Sequence, residues 1–222
     1  MSVETVRVRP VAASRAPATR SRRTQAERRA ESDRKLLRAA AELVVERGIE
    51  GTSFAEIGRR AGYSHGLVHT RFGSKDALVE RLNDEAVQVF TARTVEAVSG
   101  AQGAEAIRLL SRVYLDLVHG EDPIARVHLL VWSEAVATAS GKDRRPYRIT
   151  WDRVLRSALA AMVRTGIADG SVSPSVDPDT TAVVIVGLIR GVALQLMIDP
   201  GSGSVAASRG LVLEHIDRML VR

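Results

Sequence analysis

Residues 52–78 constrain the fold of this chain more than any other segment, because they contain four closely spaced signals that start or stop a helix. The residues that carry these signals are Ser53, Gly62, Ser64 and Ser74. A serine just before an apolar run caps a helix, and Glu56, three residues after Ser53, completes a capping-box pattern. Glycine ends a helix readily because it adopts positive φ at little cost. The segment therefore predicts two short helices joined by a turn at Gly62, followed at once by a third helix.

The apolar residues of the two short helices fall at helical spacing and leave one face of each helix free. The residues predicted to face inward are Phe54, Ile57, Ala61, Leu67, Val68 and Phe72. The residues left outside on the second helix are His65, Gly66, His69, Thr70 and Arg71. Four of these can form hydrogen bonds, and none is acidic. The pattern predicts a helix-turn-helix that enters a DNA major groove. The alternative is a helical hairpin with a solvated polar face.

Basic charge is concentrated in the part of the chain that contains this segment. The whole chain has a formal net charge of +6, and residues 1–85 hold 17 Lys/Arg against 12 Asp/Glu. Such a surplus favours a polyanionic partner. Lys75, in the first turn of the third helix, is placed to pair with a phosphate as a point charge. The absence of cysteine excludes disulfides and thiol catalysis, which suits a cytoplasmic protein.

Many positions in this segment resemble the signature of the TetR-type (tetracycline-repressor-like) transcriptional regulators. The matching residues are Gly48, Thr52, Ile57, Ala61, Gly62, Tyr63, Ser64, Gly66, Phe72, Ser74, Lys75 and Leu78. The resemblance covers residues 34–82. It implies an all-helical homodimer whose N-terminal domain binds palindromic double-stranded DNA and whose larger domain binds a small effector. It also implies DNA contacts for Thr52, Ser53, His65, Gly66, His69, Thr70, Arg71 and Lys75. The chain departs from the family at His69, where Tyr is usual, and at Arg71, where His or Tyr is usual; both side chains can still donate to phosphate.

The rest of the chain predicts an all-α protein with a basic tail and two domains. Residues 1–23 are rich in Arg, Ala and Pro, lack a helical apolar stripe and are expected to be a disordered arm. That arm either contacts DNA specifically or is a solvated tail with weak nonspecific attraction. It lacks the apolar run of a secretory signal. We expect a helix-turn-helix domain over residues 24–83, beginning with a helix over 24–47, and a helical effector-binding and dimerisation domain over residues 84–222.

Residues 182–198 form the most apolar run in the chain. The run is short for a membrane helix, and Arg190 and Gln195 within it would be costly in lipid, so we expect no membrane span. Burial on all sides within the protein explains its composition better. Gly187 and Gly191 leave one face open to close helix approach. The segments that the family resemblance assigns to the homodimer interface are residues 146–165 and 179–198.

Side chains with an apolar body and a polar handle are the candidates for an effector site. They are Tyr114, His128 and Trp132. The family resemblance puts its pocket among the central helices, here residues 85–138. Few charges occur in these stretches, which favours an apolar or weakly polar ligand over a phosphorylated one. The alternative interpretation is that each of the three is an ordinary core residue.

Enzyme and metal sites have little support in the sequence. His65 and His69 stand at i,i+4, a spacing that could bind a metal, but the Glu of an HExxH site is missing between them. No P-loop or GxGxxG motif occurs, and no cofactor is implied. The one GxSxG match, residues 62–66, lies in the turn predicted between the two short helices, where Ser64 is a helix cap, and not after a strand. Together with the resemblance to the TetR-type regulators, which implies a ligand-responsive repressor, the sequence predicts a sequence-specific DNA-binding protein and not an enzyme. The alternatives are a nonspecific DNA-binding protein without an effector and a helical protein-interaction module.

Overall fold

The computed structural model describes residues 24–137, 145–199, 201 and 203–221. Within these ranges the chain forms nine helices and no strand. The helices are α1 (Gln25–Arg47), α2 (Phe54–Ala61), α3 (His65–Phe72), α4 (Lys75–Ala97), α5 (Gly103–His119), α6 (Pro123–Ala137), α7 (Arg145–Asp169), α8 (Pro178–Ile198) and α9 (Val205–Leu220). The all-α prediction is confirmed. The arm predicted over residues 1–23 lies outside the described residues.

The first helix has a capping residue at each end. Thr24 Oγ1 accepts a hydrogen bond from Glu27 N at 3.2 Å, and Glu27 Oε2 accepts one from Thr24 N at 2.8 Å, which together form a capping box. Gly48 ends α1 with a φ of 76°. Its apolar residues form one buried stripe along the helix: Leu36, Leu37, Ala40, Leu43 and Val44. This stripe is the base on which the helix-turn-helix packs.

The core of the N-terminal helices extends into a helix much later in the chain. Buried residues of α1 to α4 in this core include Leu36, Leu43, Ile57, Val68, Leu78 and Leu82. Val127 and Val131 of α6 belong to the same cluster and are fully buried. The N-terminal packing unit therefore includes one face of α6. In addition, α4 runs without a break through the domain boundary predicted after residue 83.

A second core lies between the helices that follow. It contains residues from α5, α7, α8 and α9, among them Leu110, Tyr114, Leu159, Ile185, Ile189 and Ile216. The second half of α4 packs against this core through Phe90. One continuous helix, α4, therefore packs against both cores.

The apolar helix α8 is buried on one face only, which corrects the expectation that the protein surrounds it on all sides. Of the helices in the described part of the chain, it alone is long and apolar enough to cross a membrane. Ile185, Ile189 and Ala193 pack into the second core. The opposite face exposes Val183, Val184, Gly187, Gly191 and Ile198. An exposed face that is apolar apart from Gln195 is typical of a surface that a partner covers.

Candidate functional site

Two glycines set the geometry of α2 and α3. Gly62 has a φ of 77° and a ψ of 29°, the left-handed conformation predicted for the end of α2. Gly58 lies inside α2, where a Cβ would come 2.8 Å from Tyr63 O and 3.2 Å from His65 N. Glycine therefore allows α2 to approach the start of α3 closely. The sequence interpretation missed Gly58, although an isolated glycine in a helical pattern is a signal of close packing.

The outer face of α3 carries polar groups that are accessible to a ligand. Its exposed residues are His65, Gly66, His69 and Thr70. The ring centroids of His65 and His69 lie 6.5 Å apart. The ring of Phe54 lies beside both, with centroid distances of 6.4 Å to His65 and 6.2 Å to His69. Ser64 caps the helix by accepting a hydrogen bond from Leu67 N at 3.3 Å. A capped helix with such a face has donors and acceptors available for base edges in a major groove.

Two cations that the sequence assigns to phosphate contact are held by carboxylates. Arg71 Nε lies 3.1 Å from Asp33 Oδ1, although not in hydrogen-bonding geometry, and its side chain is only 18% exposed. Arg71 is thus half-buried, not exposed as its helical position predicted, because the carboxylate of α1 draws it inward. Lys75 Nζ donates to Glu50 O at 2.9 Å and lies 3.3 Å from Glu50 Oε2. Each cation must leave its carboxylate to meet a phosphate.

Thr52 and Ser53 contribute to the local structure at the start of α2. Thr52 is 6% exposed, and its Oγ1 donates to Gly48 O at 2.9 Å, so this side chain is turned into the protein. Ser53 is exposed; its Oγ accepts from Glu56 N at 3.3 Å and donates to Glu56 Oε2 at 2.8 Å. The capping box predicted here is therefore half formed. The Glu56 side chain accepts from the serine hydroxyl and not from the serine backbone.

Ion pairs connect α1 to α2. Arg60 donates to both carboxylate oxygens of Glu46, at 2.6 and 2.8 Å, and Arg47 pairs with Glu56. The hydrogen bond from Arg60 lowers the pKa of Glu46. The hydrogen bond from Ser53 lowers the pKa of Glu56, and the charge of Arg47 acts in the same direction. Both carboxylates are consequently charged at neutral pH and hold α2 against the end of α1.

A cavity of about 270 Å³ lies between the second half of α4 and helices α5 to α8. Its walls are mostly apolar and include Phe90, Leu110, Trp151, Leu155 and Met162. Of the three predicted effector-binding residues, Tyr114 and His128 line this cavity and Trp132 does not. The rings of Phe90 and Tyr114 meet edge to face, with their centroids 5.6 Å apart.

Trp132 packs instead against Arg190, which itself lines the cavity. Arg190 Cζ lies 4.8 Å from the centroid of the Trp132 ring, a cation–π contact. Arg190 is 3% exposed and pairs with Asp152 of α7. Trp132 does not line this cavity, and the guanidinium of Arg190 from α8 covers one face of its indole ring. The sequence interpretation did not select Arg190, since only the packing of α6, α7 and α8 brings these three side chains together.

Three buried polar atoms of cavity-lining residues have no hydrogen-bond partner among the described residues. They are Thr94 Oγ1, Tyr114 Oη and Arg190 Nε. Burial raises the pKa of Tyr114, and the charge of Arg190 opposes that shift, although no hydrogen bond of ordinary geometry joins the two side chains. The Tyr114 hydroxyl therefore stays protonated at neutral pH and is able to donate.

Two helices connect the cavity to the helix-turn-helix. Leu78 of α4 lies in the N-terminal core with Val68 of α3, whereas Phe90, farther along α4, lines the cavity. His128 of α6 also lines the cavity, and its Nδ1 lies 3.0 Å from Oδ1 of the buried Asn83 on α4. Any molecule in the cavity therefore contacts the same helices that pack behind α3.

Two segments of this chain match known protein families. Residues 36–82, which contain the helix-turn-helix, match the bacterial regulatory proteins of the tetR family. Residues 103–221 match the C-terminal domain of BetI-type transcriptional repressors, and this match alone covers more than half of the chain. Two curated relatives are named HTH-type transcriptional regulator BetI. The one from Burkholderia mallei (strain NCTC 10229) is 26% identical to this chain and the one from Burkholderia thailandensis is 25% identical. Each alignment spans 187 residues, which is 83% of this chain and 91% of the relative.

Solved structures have the same fold. A protein from Saccharomonospora viridis, described as a transcriptional regulator in complex with choline, is 26% identical with a TM-score of 0.72, over 87% of this chain and 99% of that one. AibR in complex with isovaleryl coenzyme A and operator DNA is 20% identical with a TM-score of 0.68, over 85% and 97% of the two chains. The chain belongs to the TetR family of DNA-binding transcriptional regulators, with a C-terminal domain of the BetI repressor type.

Proposed function

We propose that this regulator is a homodimeric repressor that binds a two-fold symmetric operator in the cytoplasm and releases it when a small molecule fills the cavity. The observation that carries the proposal is the path of α4. Its first turns pack in the core behind α3, and its second half forms a wall of the cavity. Ligand and operator therefore act on one helix from opposite ends.

The exposed face of α3 is the part of the molecule proposed to contact base edges. The residues assigned to this role are His65, Gly66, His69 and Thr70. Ser53 contacts the phosphate backbone, and Arg71 and Lys75 do so once they exchange Asp33 and Glu50 for phosphate. Thr52 acts indirectly, because its buried hydroxyl holds the loop before α2. Base contacts determine the operator sequence, whereas phosphate contacts determine affinity and its salt dependence.

The exposed face of α8 is the proposed centre of the homodimer interface, with α7 beside it. Gly187 and Gly191 have open space where a Cβ would lie, so the backbone of a second α8 can approach closely. Val183 and Val184, which flank them, are 49% and 46% exposed in the single chain. A two-fold axis through this face would present two α3 helices to the two halves of a palindrome.

The cavity is the proposed effector site. Two similar structures contain small molecules, choline in one and isovaleryl coenzyme A in the other, which supports a small-molecule effector here. The volume of about 270 Å³ favours a compact ligand, because typical ligand pockets measure roughly 300–1,000 Å³. The walls favour a ligand whose body is apolar or weakly polar. A hundredfold loss of operator affinity on binding would need a coupling free energy of about 2.7 kcal/mol.

Selection from a random DNA pool by the purified full chain at moderate salt tests the operator. We expect enrichment of one palindrome, followed by release of that DNA when the correct small molecule is added. His69→Ala should change the bases that are preferred within the palindrome without changing the thermal melt of the dimer. The matched wild-type selection, run at the same salt, gives the reference motif.

Other results of this experiment would contradict parts of the proposal. Binding of all sequences with similar affinity would favour nonspecific DNA binding. An intact dimer that binds no DNA at low salt would favour an interaction module. An enriched motif that stays the same in His69→Ala would remove that residue from base recognition.

A further inference from the structure

The cavity contains polar groups that its own walls do not satisfy. Thr94, Tyr114 and Arg190 are 9%, 3% and 3% exposed, and in the described part of the chain Thr94 Oγ1, Tyr114 Oη and Arg190 Nε have no hydrogen-bond partner. Native proteins leave few buried polar atoms unpaired, because each one loses its hydrogen bonds to water without replacement. Three such atoms from residues lining one apolar cavity indicate that something else supplies their partners.

The chemistry of these atoms defines what that partner must offer. Arg190 Nε is only a donor, and the Thr94 and Tyr114 hydroxyls each have a proton to donate. A group that accepts hydrogen bonds through oxygen satisfies all three at once. A charged amine has donors but no acceptor, so it cannot accept the hydrogen bond that Arg190 Nε donates.

The charge beside the cavity favours an acceptor that is anionic. Asp152 pairs with Arg190 and also with Arg156, whose Nη2 lies 2.6 Å from Asp152 Oδ2. Within this cluster one carboxylate faces two guanidinium groups. An added carboxylate from a ligand would balance the second positive charge, and Arg–carboxylate hydrogen bonds are among the strongest in proteins.

We propose that the cavity binds a compact apolar molecule that ends in a carboxylate, with the carboxylate oxygens accepting hydrogen bonds from Arg190 Nε, Tyr114 Oη and Thr94 Oγ1. This inference rests on the proposed function, in which the cavity is the effector site. It narrows the effector from an apolar or weakly polar molecule to an organic acid.

The same surroundings disfavour a quaternary ammonium or other cation. Among the described residues that line the cavity there is no Asp or Glu, while Arg190 contributes a positive charge. The indole face of Trp132, the strongest class of cation–π acceptor, is already occupied by that guanidinium at 4.8 Å. Phe90, Tyr114 and Trp151 remain as aromatic walls, so a cation is the competing ligand in the test.

A series that varies only the head group tests the proposal. We would titrate the purified full chain with octanoate, octanamide and octylamine, and measure the heat of binding together with the intrinsic fluorescence of the two tryptophans, Trp132 and Trp151. We expect one site per chain and affinity that decreases from the acid to the amide to the amine. Equal affinity for acid and amine, tighter binding of the amine, or no saturable binding of any member would overturn the proposal.

Substitutions that keep the shape of the cavity identify the binding atoms. Tyr114→Phe and Thr94→Val remove only hydroxyls that are unpartnered, so neither should lower the melting temperature of the free protein. Together they should weaken octanoate roughly tenfold to a hundredfold and leave octylamine unchanged. Ser111→Ala is the matched control: it removes a buried hydroxyl of α5 that donates to Ile107 O at 2.8 Å and does not line the cavity, and it should leave both octanoate affinity and the order of head groups unchanged. Octanoate affinity that is unchanged in the double variant would overturn the assignment.

Operator binding measured on the same samples separates this inference from the proposed function. Release of operator by octylamine but not by octanoate would leave the effector-responsive repressor standing and would overturn the organic acid. Tight octanoate binding with no change in operator affinity would support the proposal that the cavity binds an organic acid. It would overturn the proposal that ligand binding in the cavity weakens DNA binding.

Discussion

Gly58 and Gly62 lie four residues apart in the helix-turn-helix and meet different physical requirements. Gly62 needs a left-handed backbone, which its φ of 77° shows directly. Gly58 has an ordinary helical backbone. It needs space, because a Cβ at this position would lie only 2.8 Å from the carbonyl oxygen of Tyr63. The contact is with backbone, so no rotation of a side chain can relieve it.

Gly58→Ala is therefore expected to separate α2 from the start of α3. We expect the free energy of unfolding to fall by about 1–3 kcal/mol, the usual cost of overpacking, and operator affinity to fall with it. Thermal unfolding followed by circular dichroism measures the first quantity. Gly66→Ala is the matched control, because its Cβ would meet only Ser64 Oγ at 3.9 Å. That control should raise helix stability by up to about 1 kcal/mol. Equal melting temperatures for Gly58→Ala and the wild type would refute the steric argument.

Asp33 restrains the arginine proposed to contact phosphate. Asp33→Asn removes the charge that holds Arg71 at 3.1 Å, so Arg71 no longer gives up an ion pair when it meets a phosphate. We expect tighter binding to random DNA with a salt slope close to that of the wild type. Asp217→Asn changes the net charge equally at a distance from α3, since Asp217 pairs with Arg108 at 2.7 Å. Fluorescence anisotropy at several salt concentrations measures the slope. If Asp33→Asn tightens binding no more than Asp217→Asn does, Arg71 does not exchange Asp33 for phosphate.

At the scale of elements, the pair of Arg60 and Glu46 holds α2 against α1. The hydrogen bond from Arg60 lowers the pKa of Glu46 in the folded state. A carboxyl group whose folded pKa is depressed contributes stability above its unfolded pKa and loses it as pH falls through the folded pKa. The contribution of this pair is thus present at neutral pH and disappears in acid.

A double-mutant cycle between Glu46→Gln and Arg60→Gln measures that contribution. We expect a coupling between the two substitutions at about pH 7 that decreases toward zero at about pH 3. Chemical denaturation of the four proteins across this range gives the coupling at each pH. A coupling that is independent of pH would show that the Glu46 charge does not stabilise the contact.

Capping and apolar spacing are local signals, and they predicted the elements well. Ser53, Ser64 and Ser74 cap the helices that they were expected to cap, and Gly62 ends the helix before it. These predictions succeed because a cap depends on residues within one turn of the chain.

Contacts between distant segments account for what the sequence did not predict. Arg71 is exposed by helical spacing alone, but Asp33 of another helix turns it inward. Trp132 has the chemistry of a ligand-binding residue, yet Arg190 of α8 covers it. The burial of α8 was overestimated from the sequence. The helix is apolar on all sides, so its composition does not indicate whether the same chain or a partner covers its second face.

At the scale of the whole molecule, the exposed face of α8 determines the proposed assembly. A leucine at Gly187 or Gly191 would fill the open space between two α8 helices. Gly187→Leu and Gly191→Leu are each expected to shift the protein toward monomer and to weaken operator binding, because a monomer contacts one half-site only.

Sedimentation velocity across a concentration series measures this shift. Gly210→Leu is the matched control, since Gly210 is also an exposed helical glycine with open space at its Cβ position, but on α9. It should leave the dimer intact. A wild-type dissociation constant in both α8 variants would contradict an interface at these glycines.

The packing of α6 also bears on how far this protein can be divided into exchangeable parts. Val127 and Val131 complete the core of the N-terminal helices, while Ala125 and His128, on the same helix, line the cavity. A hybrid regulator made by joining two relatives at a point in α4 would place a foreign α6 against α1 and α4. The unit that would have to be transferred to change DNA specificity therefore consists of two separate segments of sequence, the N-terminal helices and α6. A functional hybrid would need both segments from the same parent.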